Sequence, residues 1–152
     1  MSKQLIVKLE WNEEFETGIT EIDEQHLILV NAINDASEKL SEDMSVDLLE
    51  QITMDLLSYA LYHFETEEEI MKRYGYASKD CDRANKHYME HRYFSSKAHA
   101  IREKLKSGEM ISAKDLIGFL QSWLINHILH TDKDLGVFVL SERQKLHIEC
   151  SS

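Results

Sequence analysis

The chain predicts an all-α protein, an up-down-up-down antiparallel four-helix bundle with an N-terminal arm and a short C-terminal extension. Three observations carry the prediction. Proline is absent and there are only five glycines, so little in the sequence opposes helix. Four long segments carry apolar residues at helical spacing, each drawing one inward-facing stripe. The connections between them are short, and a short loop returns a helix to an antiparallel neighbour.

The elements follow in order. Residues 1–20 show no helical stripe but contain Trp11, Phe15 and Ile19, which reads as an extended arm packed on the bundle. Thr20-Glu-Ile-Asp23 spells a capping box, so a first helix is expected over about 21–40. Its stripe is Ile22, His26, Leu29, Ile33, Ala36 and Leu40. Ser45 can cap a second helix over 46–73, striped by Leu49, Ile52, Leu56, Ala60, His63, Glu67 and Ile70, with Gly75 as its stop signal. The third, over 82–107, presents Ala84, His87, His91, Phe94, Ala98, Ile101 and Leu105, and Gly108 ends it. Ser112-Ala-Lys-Asp115 is a second capping box for a helix over 113–132 striped by Leu116, Leu120, Trp123, His127 and Thr131. The tail, 133–152, is read as a short helix or an ordered extension.

A chain of 152 residues is read as one domain, 1–152, large enough to bury a core. A formal net charge of −11 argues against nucleic acid and against anionic membrane surfaces as partners. No apolar run reaches the length of a membrane span. Residues 1–10 lack the apolar stretch of a secretory signal. The two cysteines, Cys81 and Cys150, make no metal pair by spacing and suit a reduced, cytoplasmic setting.

The feature that points to function is where the histidines fall. Of eight, five lie on the apolar stripes: His26, His63, His87, His91 and His127. Glu67 follows His63 by one turn, His91 follows His87 by one turn, and Asp132 lies five residues after His127. One histidine on an apolar stripe is ordinarily a satisfied core residue. Five histidines, a glutamate and an aspartate converging on one interior are different. Each unpaired carboxylate or unsatisfied polar group buried there costs several kcal/mol. Together they would exceed the net stability of a domain, about 5–15 kcal/mol. A bound metal removes that cost, and its binding free energy becomes folding free energy.

Residues four apart share a helix face, so His87 and His91 can hold one ion, and His63 and Glu67 can act together likewise. His127 and Asp132 fit worse, because five residues turn about 140° on a regular helix. His130, three residues on, would be better placed than Asp132, unless the helix widens between Ile128 and Asp132 into a π-type turn or Asp132 approaches from the helix end. The widened turn is the prediction adopted. Imidazole and carboxylate without thiolate suit iron, manganese or zinc. Seven groups are too many for one tetrahedral zinc and suit two ions sharing carboxylates.

Two other metal classes can be weighed by spelling. Ferritin-like di-iron oxidases need Glu-x-x-His on two helices, and no histidine here has a glutamate three residues before it. His87-Tyr-Met-Glu-His91 matches the H-x-x-E-H of one metalloprotease group, with Glu90 as general base. That match leaves His26, His63 and His127 on inward faces without a role.

Taken together, Trp11, Gly18-Ile-x-x-Ile-Asp-x-x-His26, His63-Phe-x-x-Glu67-Glu, Gly75-Tyr, His87-x-x-x-His91-x-x-Phe94 and Trp123-Leu-x-x-His127-Ile-x-x-x-Asp132-Lys resemble the hemerythrin family, in its single-domain bacterial form. The resemblance covers about residues 11–136. The family shares the five-residue spacing, which favours Asp132 over His130. The resemblance implies a non-haem di-iron centre of two Fe ions with an oxo or hydroxo bridge. His87, His91 and His127 would hold one iron, His26 and His63 the other, and Glu67 and Asp132 would span both. The two-histidine iron would keep an open position for O2. Reversible binding then asks for a dry pocket without a general acid, for which Leu29, Leu56, Phe64, Trp123, Leu124 and Ile128 are candidate linings. His99, His130 and His147 are read as lying outside the centre. The function implied is an oxygen carrier, store or buffer, not an enzyme. The same centre also admits an O2 or redox sensor subunit, a di-iron oxidase, peroxidase or NO-handling enzyme, or iron storage. The sequence identifies no protein partner.

Overall fold

The computed structural model describes residues 9–42, 45–109 and 111–151, with the side chains of 41–42 and 147–151 outside that description. Residues 1–8 of the arm and the side chains of His147 and Cys150 therefore lie outside the described residues. The helices are α1 (Thr20–Glu42), α2 (Val46–Arg73), a one-turn α3 (Tyr76–Lys79), α4 (Cys81–Lys106), α5 (Ala113–Asn126) and α6 (Lys133–Ser151). Between α5 and α6 runs a π-helical turn, His127–Asp132. Among the described residues there is no strand, and no helix long and apolar enough to cross a membrane.

Local chemistry accounts for the boundaries. Ser45 accepts the backbone N–H of Leu48, and Ser112 that of Asp115, each satisfying a donor that the first turn leaves free. Asp80 does the same for Arg83 at the start of α4. Gly75, at φ 70°, supplies the left-handed conformation that ends α2. The chain then makes the single turn of α3, which the sequence reading does not contain.

Three expectations are corrected. Thr20 is not the cap of α1, because the helix already includes it: the N–H of Asp23 bonds to the carbonyl of Ile19. Asp23 instead reaches back to the arm, accepting from the Thr17 N–H at 2.7 Å, the Thr17 hydroxyl at 2.8 Å and the Gly18 N–H at 3.1 Å. The arm is not wholly extended, since Glu13–Phe15 form a 3-10 turn capped by Asn12. The tail is a 19-residue helix continuing the fourth rod without a break. Gly136 explains how that helix meets the arm. A β-carbon there would stand 2.5 Å from the backbone oxygen of Thr17, a contact only glycine avoids.

Two apolar clusters fill the interior. One contains Leu29, Leu56, Phe64, Phe94, Leu120, Leu124 and Ile128. The other contains Ile22, Ile70, Met71, Tyr76, Ala84, Leu135 and Val139. Every long helix passes from one cluster to the other through a polar layer. In α1 the order is Ile22, His26, Leu29; in α2 it is Phe64, Glu67, Ile70. In α4 it is Ala84, His87 and His91, Phe94; in the fourth rod it is Leu124, His127 and Asp132, Leu135. The direction reverses from each long helix to the next, which is the antiparallel four-helix bundle. The polar layer is thus closed above and below by apolar side chains.

Candidate metal centre

All seven side chains singled out from the sequence lie in that layer, each no more than 3% exposed. α1 contributes His26, α2 His63 and Glu67, α4 His87 and His91, and the π turn His127 and Asp132. The turn widens where the five-residue spacing requires it, and its i→i+5 winding brings Asp132 back onto the face of His127. His130, the competing candidate, points outward and is exposed, as is His99.

The two carboxylates organise the cluster. Glu67 turns Oε1 toward His63, in direct contact, and toward His26 at 3.8 Å. Its Oε2 faces His87 at 2.6 Å, His127 at 3.7 Å and His91 at 3.8 Å. Asp132 divides in the same sense: Oδ2 lies 2.8 Å from His26, while Oδ1 lies 2.9 Å from His127 and 3.3 Å from His87. Each carboxylate therefore offers one oxygen to a three-histidine group and the other to a two-histidine group. Two ligand-competent sets result, Glu67-His87-His91-His127 and His26-His63-Glu67-Asp132. Within each, one ligand atom per residue lies within 4.8 Å of the others.

Electrostatics show how much charge is confined here. Burial pushes the Glu67 carboxyl up, but His63, His87 and hydrogen bonds within the cluster outweigh it and hold it well below the usual range. Burial lowers His26, yet the adjacent Asp132 and Glu67 raise it to about 9. His127 is likewise depressed by burial and carried well above its ordinary value by Asp132, Glu67 and Glu90. Without a cation, protons must hold this charge in a dry interior. Even so, His26 Nε2, His63 Nε2, Glu67 Oε1 and both Asp132 oxygens crowd against one another without a well-formed hydrogen bond among the described residues. Buried polar atoms are rarely left so. Nitrogen and oxygen donors converging without a thiolate are the donor set of an imidazole–carboxylate metal site, and iron fits it.

The outer ring nitrogens reveal residues that the sequence reading did not assign. His63 Nδ1 is 2.7 Å from Gln25 Oε1, whose amide nitrogen in turn donates to Thr66. An amide oxygen can only accept, so Nδ1 carries the proton and Nε2 presents its lone pair inward. His127 Nδ1 is 3.0 Å from Glu90 Oε1, and His91 Nδ1 is 3.6 Å from Glu68. Glu90 thus sits behind His127, away from the interior, and is not placed as a general base. Gln25, Glu68 and Glu90 are each the sequence neighbour of an inward-facing group. The signal was adjacency, but all three face a histidine on a different element of the bundle, and only the packed bundle shows which one.

Beside the layer lies an apolar cavity of about 20 Å³, room for roughly one water-sized molecule. Five of the six predicted linings wall it: Leu29, Leu56, Phe64, Trp123 and Leu124, joined by Ile33, Ala60, Phe94 and Leu120. Ile128 is buried in the same cluster but is not a wall. The Phe64 ring stacks on His91 with centroids 4.0 Å apart, and Trp123 stacks on His127 at 4.6 Å. The cavity lining carries no titratable side chain.

Comparison with known proteins agrees with this architecture. The family model "Hemerythrin HHE cation binding domain" matches residues 17–138. A bacteriohemerythrin of Clostridium acetobutylicum is 29% identical over 128 residues, covering 82% of this chain and 95% of that protein. One from Pseudomonas aeruginosa is 33% identical over 127 residues, covering 82% and 76% respectively. The crystal structure of a wild-type hemerythrin superposes with a TM-score of 0.77 at 25% identity, over 88% of this chain and 98% of that one. With the match spanning the arm's end, all four rods and the histidine layer, the chain belongs to the hemerythrin family.

Proposed function

We propose that the chain binds O2 reversibly at a non-haem di-iron centre, as an oxygen carrier, store or buffer. His87, His91 and His127 would hold one iron, and His26 and His63 the other. Glu67 and Asp132 would span the two. The observation that carries the reading is the asymmetry of the layer. Glu67 and Asp132 each turn one oxygen toward a three-histidine group and the other toward a two-histidine group, so the second group has one imidazole fewer. When bound, two ferrous ions supply one electron each, enough to hold O2 and to release it again.

The chain's own contribution is to position and to exclude. Gln25 and Glu90 fix the inward lone pairs of His63 and His127. The apolar clusters on either side keep bulk water from the layer, so the charges act at low dielectric. The cavity walled by Leu29, Phe64, Trp123 and Leu124 offers neither a proton donor nor a water site. That lining suits a small apolar gas and withholds the proton that would drive irreversible reduction.

An optical cycle tests the reading. Protein loaded with ferrous iron under anaerobic conditions is given O2, then purged, several times over. A visible band that rises and falls with O2 is the expected result. A single conversion to a ferric spectrum, not reversed on purging, would overturn the proposal.

A further inference from the structure

We propose that Glu90 is a positioning residue of the metal centre, tying His127 to Thr131 across the π turn and thereby setting where Asp132 stands. The proposal rests on the metal-site reading above, but the device itself is visible without metal. Glu90 Oε1 lies 3.0 Å from His127 Nδ1, and the Thr131 hydroxyl donates to both carboxylate oxygens at 2.7 and 2.8 Å. His127 opens the turn, and Thr131 immediately precedes Asp132 at its close. One side chain on α4 therefore grips both ends of the irregular segment.

The turn needs such a grip. A π turn is rare and occurs mostly as a single turn inside an otherwise α-helical rod. Left alone, the segment would relax to α, and Asp132 would swing about 140° away from His127. The clasp is close, with His127 Nδ1 and the Thr131 hydroxyl both 2.7–3.0 Å from the carboxylate, within the ordinary hydrogen-bond range. The outer face of Glu90 meets only Lys86, at 3.9 Å, so no other described cation competes for it. The H-x-x-E-H spelling of this segment thus acquires a role unrelated to proteolysis.

Amide hydrogen exchange on the metal-free protein is the primary test. Glu90→Ala should speed exchange of residues 128–133 by about tenfold or more, the loss of a hydrogen bond, while α1 and the first turns of α5 keep wild-type rates. Glu90→Gln, whose amide oxygen still accepts from both partners, should restore protection. Thr131→Val should loosen the same amides while leaving the His127 Nδ1 proton signal in place. In the loaded protein, Glu90→Ala should weaken ferrous iron binding by about 10- to 100-fold. Unchanged exchange in Glu90→Ala, or loosening spread evenly along the bundle, would overturn the proposal. So would a Glu90→Gln protein as loose as Glu90→Ala. Should Glu90→Ala fail to fold, Thr131→Val and Glu90→Gln carry the test. Because the exchange experiment needs neither iron nor O2, it stands or fails separately from the oxygen-binding reading.

Discussion

Phe64→Ala will destabilise the protein by about 3–5 kcal/mol and shorten the life of the oxygen cycle. Phe64 is 3% exposed, and its ring meets His91, Phe94 and Trp123 with centroids 4.0, 5.5 and 5.5 Å away. Truncation removes those contacts and leaves a hole that rigid helices on four sides cannot close. For a chain of this size the melting temperature should fall by roughly 6–20 °C. The new space is continuous with the existing cavity and large enough for several waters, so the centre loses its dry wall. The loaded variant should turn ferric within fewer cycles of O2 and purging than the wild type. A melting point within about 2 °C of wild type would contradict the packing argument. Unaltered cycling in a destabilised protein would contradict the exclusion argument.

Glu67→Gln should abolish most of the stabilisation that iron gives. The substitution keeps the shape and removes the charge shared between the two histidine groups. A ligand that binds only the folded state stabilises it by about 4 kcal/mol at a thousandfold excess over Kd, or roughly 8–16 °C here. Wild-type protein melted with and without ferrous iron should show a shift of that order. Glu67→Gln should show little or none. The metal-free variant should still fold, since it no longer confines a carboxylate in the interior. An iron-dependent shift equal to the wild type's would remove Glu67 from the centre.

Much of this was legible in the sequence, and particular residues show why. The stripe positions of His26, His63, His87, His91 and His127 follow from helical periodicity, which a polar substitution does not disturb. The five-residue step from His127 to Asp132 is incompatible with a regular helix, and that spacing alone locates the π turn. α6 was harder to read. It is polar along much of its length, exposes Val137, Leu140 and Leu146, and includes a glycine, so no clean stripe marks it. That glycine is explained only by the arm lying against it. The Thr20–Asp23 pattern misled because a capping spelling does not say whether the helix begins one residue earlier. The clasps at Gln25 and Glu90 depend on the rotation of one helix against another, which periodicity within a single helix does not contain.

In the proposed centre one interior layer would hold two ions unequally, three histidines to one and two to the other. Native mass spectrometry of the anaerobically iron-loaded protein tests it most directly. The wild type should carry two irons per chain. His63→Ala, stripped of half the imidazoles at the weaker group, should retain one while remaining folded. A wild type that saturates at one iron, or a His63→Ala protein that keeps both, would contradict the account.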